Sequence, residues 1–424
     1  MKPSELLKKI QSGEADSALK RVYVTDKAVE AQKPRYIRTL KKFCELFGDD
    51  RDVMIISAPG RTEICGNHTD HNNGKVLAAS INLDAIAVAA KSDKAVINEK
   101  SEGHSMNTID ISDLLPDNKN FGKSSAMIKG VIARLNELGY EIGGFDACTT
   151  NDVMGGSGLS SSAAFEVLIG NIISFLYNDG KIDPVEIAKA SQYSENVFFG
   201  KPSGLLDQMA SSVGSFVTID FKNTENPVIK KIDFDFAKSG YNLCIVDTHG
   251  SHSDLTDDYA AVRSEMEAVA GAMGKSVLRE IEPCDFKAEI PSLTGKVNDR
   301  AILRAMHYYN ENKRVENAVD ALESNDFQSF LKNITESGRS SFMYNQNVYS
   351  PSNPTEQKLS LALCIADELL PVGYRVHGGG FAGTIQAFVS DADLDKFKST
   401  MDAVFGDGSC YVLNIRPVGG TRVI

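Results

Sequence analysis

The sequence predicts an α+β protein in which helices cover antiparallel sheets, built as two or three domains or one large two-lobed unit. Three observations lead there. Strand-like and helix-like segments alternate without the strict strand–helix–strand repeat of a parallel sheet. The 424 residues, 42% of them hydrophobic, suffice for a large core. Finally, no internal repeat or low-complexity linker divides the chain, and the best candidate boundary is the polar, turn-rich "KNTENPVIKK" that starts at Lys222. The expected organisation is a helical extension over residues 1–50, a unit over 51–222 and a second over 223–424.

The elements follow in order. In the extension, "SELLKKI" and "YIRTLKKFCELFG" place apolar side chains at helical spacing before a Gly-Asp-Asp stop. "VMIISAPG" then reads as a short strand ended by Pro-Gly, and "KVLAASINLDAIAVAAKS" as two strands separated by a polar turn. "GGFDACTTNDV" is another strand. In the stretch after it, Phe165, Leu168, Ile169, Ile172 and Leu176 recur on one face, so a helix starts near Ser160 and is fed by a glycine-serine loop. "VEIAKASQYSENVFFG" is a second helix, and "KPSGLLDQMASSVGSFVTIDF" a turn, short helix and strand. Strand "YNLCIVDT" precedes an acidic loop and a helix through Arg263 and Glu265. The last third gives helices around residues 298–345, a strand–glycine turn–strand in "YRVHGGGFAGTIQAFVS", the helix "DLDKFKSTMDAVF" and a strand near "CYVLNIRP".

Charge and composition narrow the function. With 45 Lys and Arg against 57 Asp and Glu, the net charge is −12 and no long basic block exists, which argues against nucleic acid as the main partner. The seven cysteines are scattered and form no CxxC pair, as expected of free thiols in a reducing compartment. The first residues lack the apolar core of a secretory signal, and the longest apolar runs are too short or too polar to span about 30 Å of bilayer. A cytoplasmic protein without a membrane partner is expected, of unknown oligomeric state.

The chemical signals lie in loops. In "MGGSGLSSSAA", Gly155, Gly156 and Gly158 let backbone amides approach an anion, and the following helix adds its N-terminal dipole; phosphate is the expected ligand, an ordinary capped helix the bland alternative. It is not a Walker loop, and "GAMGKS", ending Gly274-Lys275-Ser276, is a chance match because Val269 stands where the first glycine belongs. "HGGGFAG" carries Gly378, Gly379, Gly380 and Gly383, more than a hairpin turn needs, which points to close approach of a ligand. Asp207, after the Pro-Ser-Gly turn, is either a helix cap or a buried acid paired with an arginine, for which Arg61 is the candidate. In "GNHTDH", His68, Asp70 and His71 suggest zinc, but the ligand count is too low; a pocket for sugar hydroxyls or an Asx-rich turn is favoured.

Together, "APGRTEICGNHTDHNNGKVL", "GGSGLSSSAA" and "HGGGFAGTIQAF" resemble the motifs of the GHMP kinases, the family of galactokinase, homoserine kinase, mevalonate kinase and phosphomevalonate kinase. The first is similar to the galactokinase signature GRxNxIGEHTDYNxGxVLP, and "GLLDQ" to its GIMDQ segment. The resemblance implies a two-lobed fold, with a ribosomal protein S5-like N-terminal domain and a ferredoxin-like C-terminal domain. It also implies transfer of the γ-phosphoryl of ATP, with Mg²⁺, to the anomeric C1 hydroxyl of galactose. By the same resemblance Asp207 faces that hydroxyl, as base or electrostatic anchor, with Arg61 beside it. Asn67, His68, Asp70, Gly204 and Tyr259 line the sugar pocket. Gly155, Gly156, Ser157, Gly158, Leu159, Ser160 and Ser161 wrap the phosphates, and Ser162 and Glu195 hold the metal.

The residue types suit phosphoryl transfer, which needs positioning and charge neutralisation more than covalent chemistry. Two departures stand out: Asn67 replaces the signature's Glu, and His71 its Tyr. A neutral amide at 67 would tolerate a C6 carboxylate, which makes galacturonate an alternative substrate. A non-catalytic sugar and ATP sensor of the same fold is the other alternative, disfavoured because Arg61, Asp207, Ser162 and Glu195 are all retained.

Overall fold

The computed structural model describes residues 1–155, 158–250 and 255–424. Three helices open it: α1 (Pro3–Ser12), α2 (Asp16–Tyr23) and α3 (Asp26–Phe47). Next come β1 (Met54–Cys65), β2 (Lys75–Lys91), β3 (Val96–Ser101), β4 (Met106–Asp110), α4 (Ser124–Glu137), β5 (Phe145–Asn151), α5 (Ser161–Tyr177) and α6 (Pro184–Tyr193). A π-helical turn (Ser194–Phe199), α7 (Leu206–Val213) and the hairpin β6 (Phe216–Asp220) and β7 (Val228–Ile232) follow. The remainder holds β8 (Tyr241–Asp247), α8 (Thr256–Ala272), α9 (Pro283–Leu293), α10 (Asp299–Glu323), α11 (Phe327–Ser340), α12 (Lys358–Leu369), β9 (Tyr374–Val376), β10 (Thr384–Ser390), α13 (Leu394–Phe405), β11 (Cys410–Leu413) and β12 (Thr421–Arg422).

The strands form two sheets. The larger runs β12-β1-β2-β5-β3-β4, with β6 and then β7 continuing from the other half of β2; the smaller runs β11-β8-β10-β9. Pairing is antiparallel throughout except between β3 and β5.

Strand β2 shows why the large sheet is covered on both faces. Along Ala85–Ala90 its side chains alternate, and Ala85, Ala87 and Ala89 join the core that holds Val167, Leu168 and Ile172 of α5. Ile86, Val88 and Ala90 point the other way, into a second core with Leu6, Leu19, Leu40 and Phe43 of the N-terminal helices. The first fifty residues are thus the outer layer of this sheet. Without them, Ile55, Ile86 and Val88 would face water, at a cost of about 1.5–3 kcal/mol for each large side chain uncovered.

Three sequence expectations need correction. Strand β1 does not stop at Pro-Gly; it continues to Cys65 with a register shift between Pro59 and Arg61. Residues 75–91 are one strand, not two: the "polar turn" contains Asp84, which lies fully buried in mid-strand. Its carboxylate accepts from the Tyr23 hydroxyl at 2.9 Å and from Ser57, and pairs with Arg35 of α3 and, at 3.3 Å, with Arg416 near the end of the chain. Partners so distant in sequence leave no local trace. Finally, a unit ending at residue 222 would lack β7, which pairs with β6 along its whole length, and β12, which pairs with β1. The large sheet therefore draws strands from both sides of that expected boundary.

Among the described residues no helix is long and apolar enough to cross a membrane.

Candidate active site

A cleft of about 310 Å³ is lined by the start of α5, the glycine turn between β9 and β10, Arg61, Lys201, Asp207 and Tyr259. Arg61 projects from β1 just past the bulge, and Asp207 from the first turn of α7. Arg61 Nε donates to Asp207 Oδ1 at 2.7 Å, its Nη2 lies 2.6 Å from the same oxygen, and Nη1 donates to the Gly158 carbonyl. Asp207 Oδ2 accepts from Ser160 Oγ at 2.7 Å. Asp207 is therefore the paired acid rather than a helix cap. Ser160 stands at the N-cap of α5 with φ 59°, yet its hydroxyl makes no cap and serves Asp207 instead.

The phosphate-loop candidates Gly155, Gly158, Leu159, Ser160 and Ser161 run beside β1, where the Arg61 amide donates to the Leu159 carbonyl at 3.0 Å. Gly156 and Ser157 lie outside the described residues. Gly158 needs to be glycine: φ is +72°, and a Cβ would stand 3.3 Å from the His377 ring.

The loop from Gly66 to Gly74 is braced by α10. Glu311 accepts from the Gly66 amide at 2.9 Å, His307 Nε2 donates to the Asn67 carbonyl at 2.9 Å, and the Tyr308 hydroxyl donates to the Asn72 carbonyl at 2.9 Å. The loop is also tied to the glycine turn, since His68 Nε2 donates to the Gly379 carbonyl at 2.8 Å while Tyr259 donates to the Gly380 carbonyl at 2.9 Å. Asp70 stays partly exposed beside Gly204, whose Cβ would lie 3.5 Å from its Oδ2.

Asn67 sits differently from the sugar-facing position expected of it. It is buried, and its Nδ2 donates to Glu63 Oε1 at 3.0 Å and to the Gly378 carbonyl at 2.8 Å. Its Oδ1 accepts from Asn347 at 2.8 Å and Ser341 at 3.2 Å. Four bonds saturate the amide, so Asn67 fastens the loop to the glycine turn. The sequence reading passed over Glu63, which shares a face of β1 with Arg61 and also binds Arg375 Nη2 at 3.1 Å. The signature itself was the available signal, because Glu63 stands at its Asn position and Asn67 at its Glu position. Carboxylate and amide have exchanged places. Burial raises the Glu63 carboxyl above its usual range against the pull of Arg375.

The metal candidates meet a similar cluster. Glu195, 2% exposed, accepts Lys201 Nζ at 2.8 Å on Oε1 and Gln208 Nε2 at 2.8 Å on Oε2. Gln208 Nε2 also reaches Glu166 Oε2 at 3.1 Å. Glu166, four residues after Ser162 on the same face of α5, was missed too; a lone acid among apolar helix positions was its signal. Burial and then Glu195 push its carboxyl well above the ordinary value. Glu166 Oε1 and Gln208 Oε1 are buried without a hydrogen-bond partner among the described residues. Unpartnered oxygens beside the Glu195 carboxylate, one turn along α5 from the cleft-lining Ser162, form a hard-oxygen donor set, which suits Mg²⁺, an ion that keeps several waters and takes few protein ligands. No group of three or more His, Cys, Asp or Glu gathers as a closed metal cage among the described residues, and the ring nitrogen Nε2 of His68 is engaged by Gly379.

Three histidines around the cleft are held neutral, among them His68, lowered to about 4 by burial and then by His71. His377, between Thr62 and Thr384, is lowered to about 3 by burial and then by Arg61; His307 is lowered to about 4, chiefly by burial. Unfolded histidine titrates near 6.5. The stability these rings contribute is therefore present above about pH 6.5 and is lost as pH falls toward 4. Three such groups give a slope approaching about 4 kcal/mol per pH unit, opposed by the raised carboxyls of Glu63 and Glu166, which release protons on unfolding. Replacing one of the histidines, as in His307→Asn, should make the stability measured by calorimetry fall less steeply between pH 7 and 4.5, by about 1.4 kcal/mol per pH unit. An unchanged pH slope in that variant would contradict the assignment.

Comparison with known proteins gives concordant results. Residues 41–91 match the family model of the galactokinase galactose-binding signature and residues 99–215 that of the GHMP kinases N terminal domain. The chain is 30% identical to the galactokinase of Streptomyces coelicolor over 86% of its own length and 92% of that protein's. It is 31% identical to the galactokinase of Glaesserella parasuis over 81% and 87%. The structure of Lactococcus lactis galactokinase complexed with galactose superposes with a TM-score of 0.75 at 26% identity, covering 90% of this chain and 98% of that one. Methanococcus jannaschii mevalonate kinase shares the fold, with a TM-score of 0.61 at 16% identity.

Proposed function

The chain belongs to the galactokinase family of the GHMP kinases, and from that premise we propose that its cleft transfers the γ-phosphoryl of ATP to the C1 hydroxyl of galactose. It is a sugar kinase, and the observation that carries the site assignment is the Arg61–Asp207–Ser160 constellation, which joins the phosphate loop to the sugar side of the cleft.

The phosphates lie along residues 155–161 at the N-terminus of α5, where unpaired amides and the helix dipole favour anions. The base occupies a neighbouring cavity of about 390 Å³, lined by Glu99, Ser101, His104, Thr149, Asn151 and Phe165. Asn151 links the two, its Nδ2 donating to the Ser161 carbonyl at 3.4 Å. Ser162 and Glu195, with Glu166, hold Mg²⁺, which when bound offsets phosphate charge. Galactose packs under the loop that carries His68 and Asp70, near Gly204 and Tyr259.

The C1 hydroxyl hydrogen-bonds to Asp207, which orients it in line with the γ-phosphorus. The bond from phosphorus to the β-bridging oxygen breaks, its electron pair staying with ADP, while the C1 oxygen bonds to phosphorus and passes its proton to Asp207. Arg61 steadies Asp207 and the charge that builds on the phosphate. In a loose transition state the hydroxyl loses its proton late, so placement matters more than base strength.

Glu63 also bears on the choice of sugar. Because a carboxylate stands next to Asn67, the neutral amide does not by itself make room for a C6 carboxylate, and galactose is favoured over galacturonate. The test is an ADP-release assay over galactose, galacturonate, N-acetylgalactosamine, arabinose and mevalonate. Galactose should be turned over best; no turnover of any sugar would refute the proposal, and binding without turnover would support the sensor alternative. The seven free cysteines fit a cytoplasmic setting, where thiols stay reduced.

A further inference from the structure

Lys201 is a charged residue of the cleft lining that the transfer scheme above leaves unused. It follows Gly200, the left-handed end of the π-helical turn, and its amide donates to the Glu195 carbonyl at 3.0 Å. Its side chain is 61% exposed, lines the same cleft as Arg61, Ser162 and Asp207, and places Nζ 2.8 Å from Glu195 Oε1. Glu195 is otherwise buried, and its second oxygen is taken by Gln208. The carboxylate assigned to the metal therefore already carries a cation, and that cation is on a flexible four-carbon stem with one end in the cleft.

We infer that Lys201 is an exchangeable cation of the transfer site: it neutralises Glu195 in the free enzyme and turns to the phosphates of the nucleotide when Mg²⁺ takes that carboxylate. The inference rests on the phosphotransfer assignment and adds to it a residue and an order of events. A buried carboxylate without a counter-charge is costly, so an acid meant to receive a metal needs a partner until the metal arrives. A lysine ammonium suits that task because it is a point charge that changes partners without the fixed fork of a guanidinium. Once released, it lies within the cleft that holds the transferring group, where a further positive charge stabilises the charge on the phosphate oxygens. While paired, Lys201 is held charged: burial opposes its charge, but Glu195 more than offsets this and holds its pKa above the ordinary value.

The experiment compares the wild type with Lys201→Met, which keeps the stem and removes the charge. Mn²⁺ alone, without nucleotide, is titrated into each protein, with free Mn²⁺ read by electron paramagnetic resonance. Loss of the competing ammonium should tighten Mn²⁺ binding by about tenfold, the scale of one charge-assisted hydrogen bond. With Mg²⁺-ATP and galactose, kcat should fall about tenfold or more as one phosphate contact is lost, while the Kd for galactose, measured calorimetrically, stays put and reports an intact fold. Lys201→Arg should restore wild-type Mn²⁺ affinity. Tighter metal binding with slower turnover is a combination that a merely structural lysine would not give. Unchanged or weaker Mn²⁺ binding in Lys201→Met, no Mn²⁺ site in either protein, or a kcat within about twofold of wild type would each overturn the proposal. Should the wild type turn over no sugar, the assigned function fails, whereas the Mn²⁺ titration still decides the role of Lys201.

Discussion

Replacing Asp207 with Asn lowers kcat with galactose by about 10²–10⁴-fold, the range expected when a positioned proton acceptor is removed from phosphoryl transfer. The amide fills the same space and still accepts from Ser160 on its oxygen, but it neither takes the C1 proton nor balances Arg61. Arg61 keeps its bond to the Gly158 carbonyl, so the phosphate loop stays seated. Galactose and ATP should bind within a few-fold of wild type, and the loss should fall on kcat. Steady-state kinetics together with calorimetric binding separate these terms. Asp207→Ala should be as slow or slower, and either variant retaining full activity would remove Asp207 from the reaction.

Asp84→Ala has the largest expected effect on stability. The substitution leaves Arg35 and Arg416, 3% and 0% exposed, without their shared carboxylate. Breaking one buried pair costs about 3–5 kcal/mol, and here one change breaks two. Against a typical total of about 5–15 kcal/mol, the variant should be insoluble or melt far below the wild type. Thermal denaturation provides the measurement, and a midpoint within about 2 °C of the wild type would contradict the expectation. Arg35 also pairs with Asp152, so the change Arg35→Met, Asp84→Leu, Asp152→Asn, Arg416→Met should recover much of the loss, since apolar replacement of a whole buried ion cluster is often neutral or stabilising.

The same cluster shows what was legible in the sequence. Helix α5 was, since Phe165, Leu168, Ile169, Ile172 and Leu176 announce it by spacing alone. So was the pairing of Asp207 with Arg61, once two loops were each recognised as unusual. Strand β2 was misread because an aspartate preceded by Asn82 and Leu83 has the local signature of a turn, and only Arg35, Arg416, Tyr23 and Ser57 make it tolerable in mid-strand. Asn67 was misplaced for a related reason: an amide has no preferred partner in sequence, and its four partners come from three separate segments. Local rules read elements well, whereas buried polar groups are decided by residues hundreds of positions away.

The pairing of Ile56 and Ser57 with Arg422 and Thr421 has a kinetic consequence. A strand near the front of the chain acquires its outer neighbour only when residues more than 360 positions later are at hand, which is contact order at its most extreme. Loop-closure entropy must be overcome before that pairing contributes, so refolding from denaturant should be slow and pass through a state in which β1 is an open edge. Until the segment around Arg416 docks, that edge also lacks one of the two cations matched to Asp84, and an intermediate of this kind is prone to aggregate.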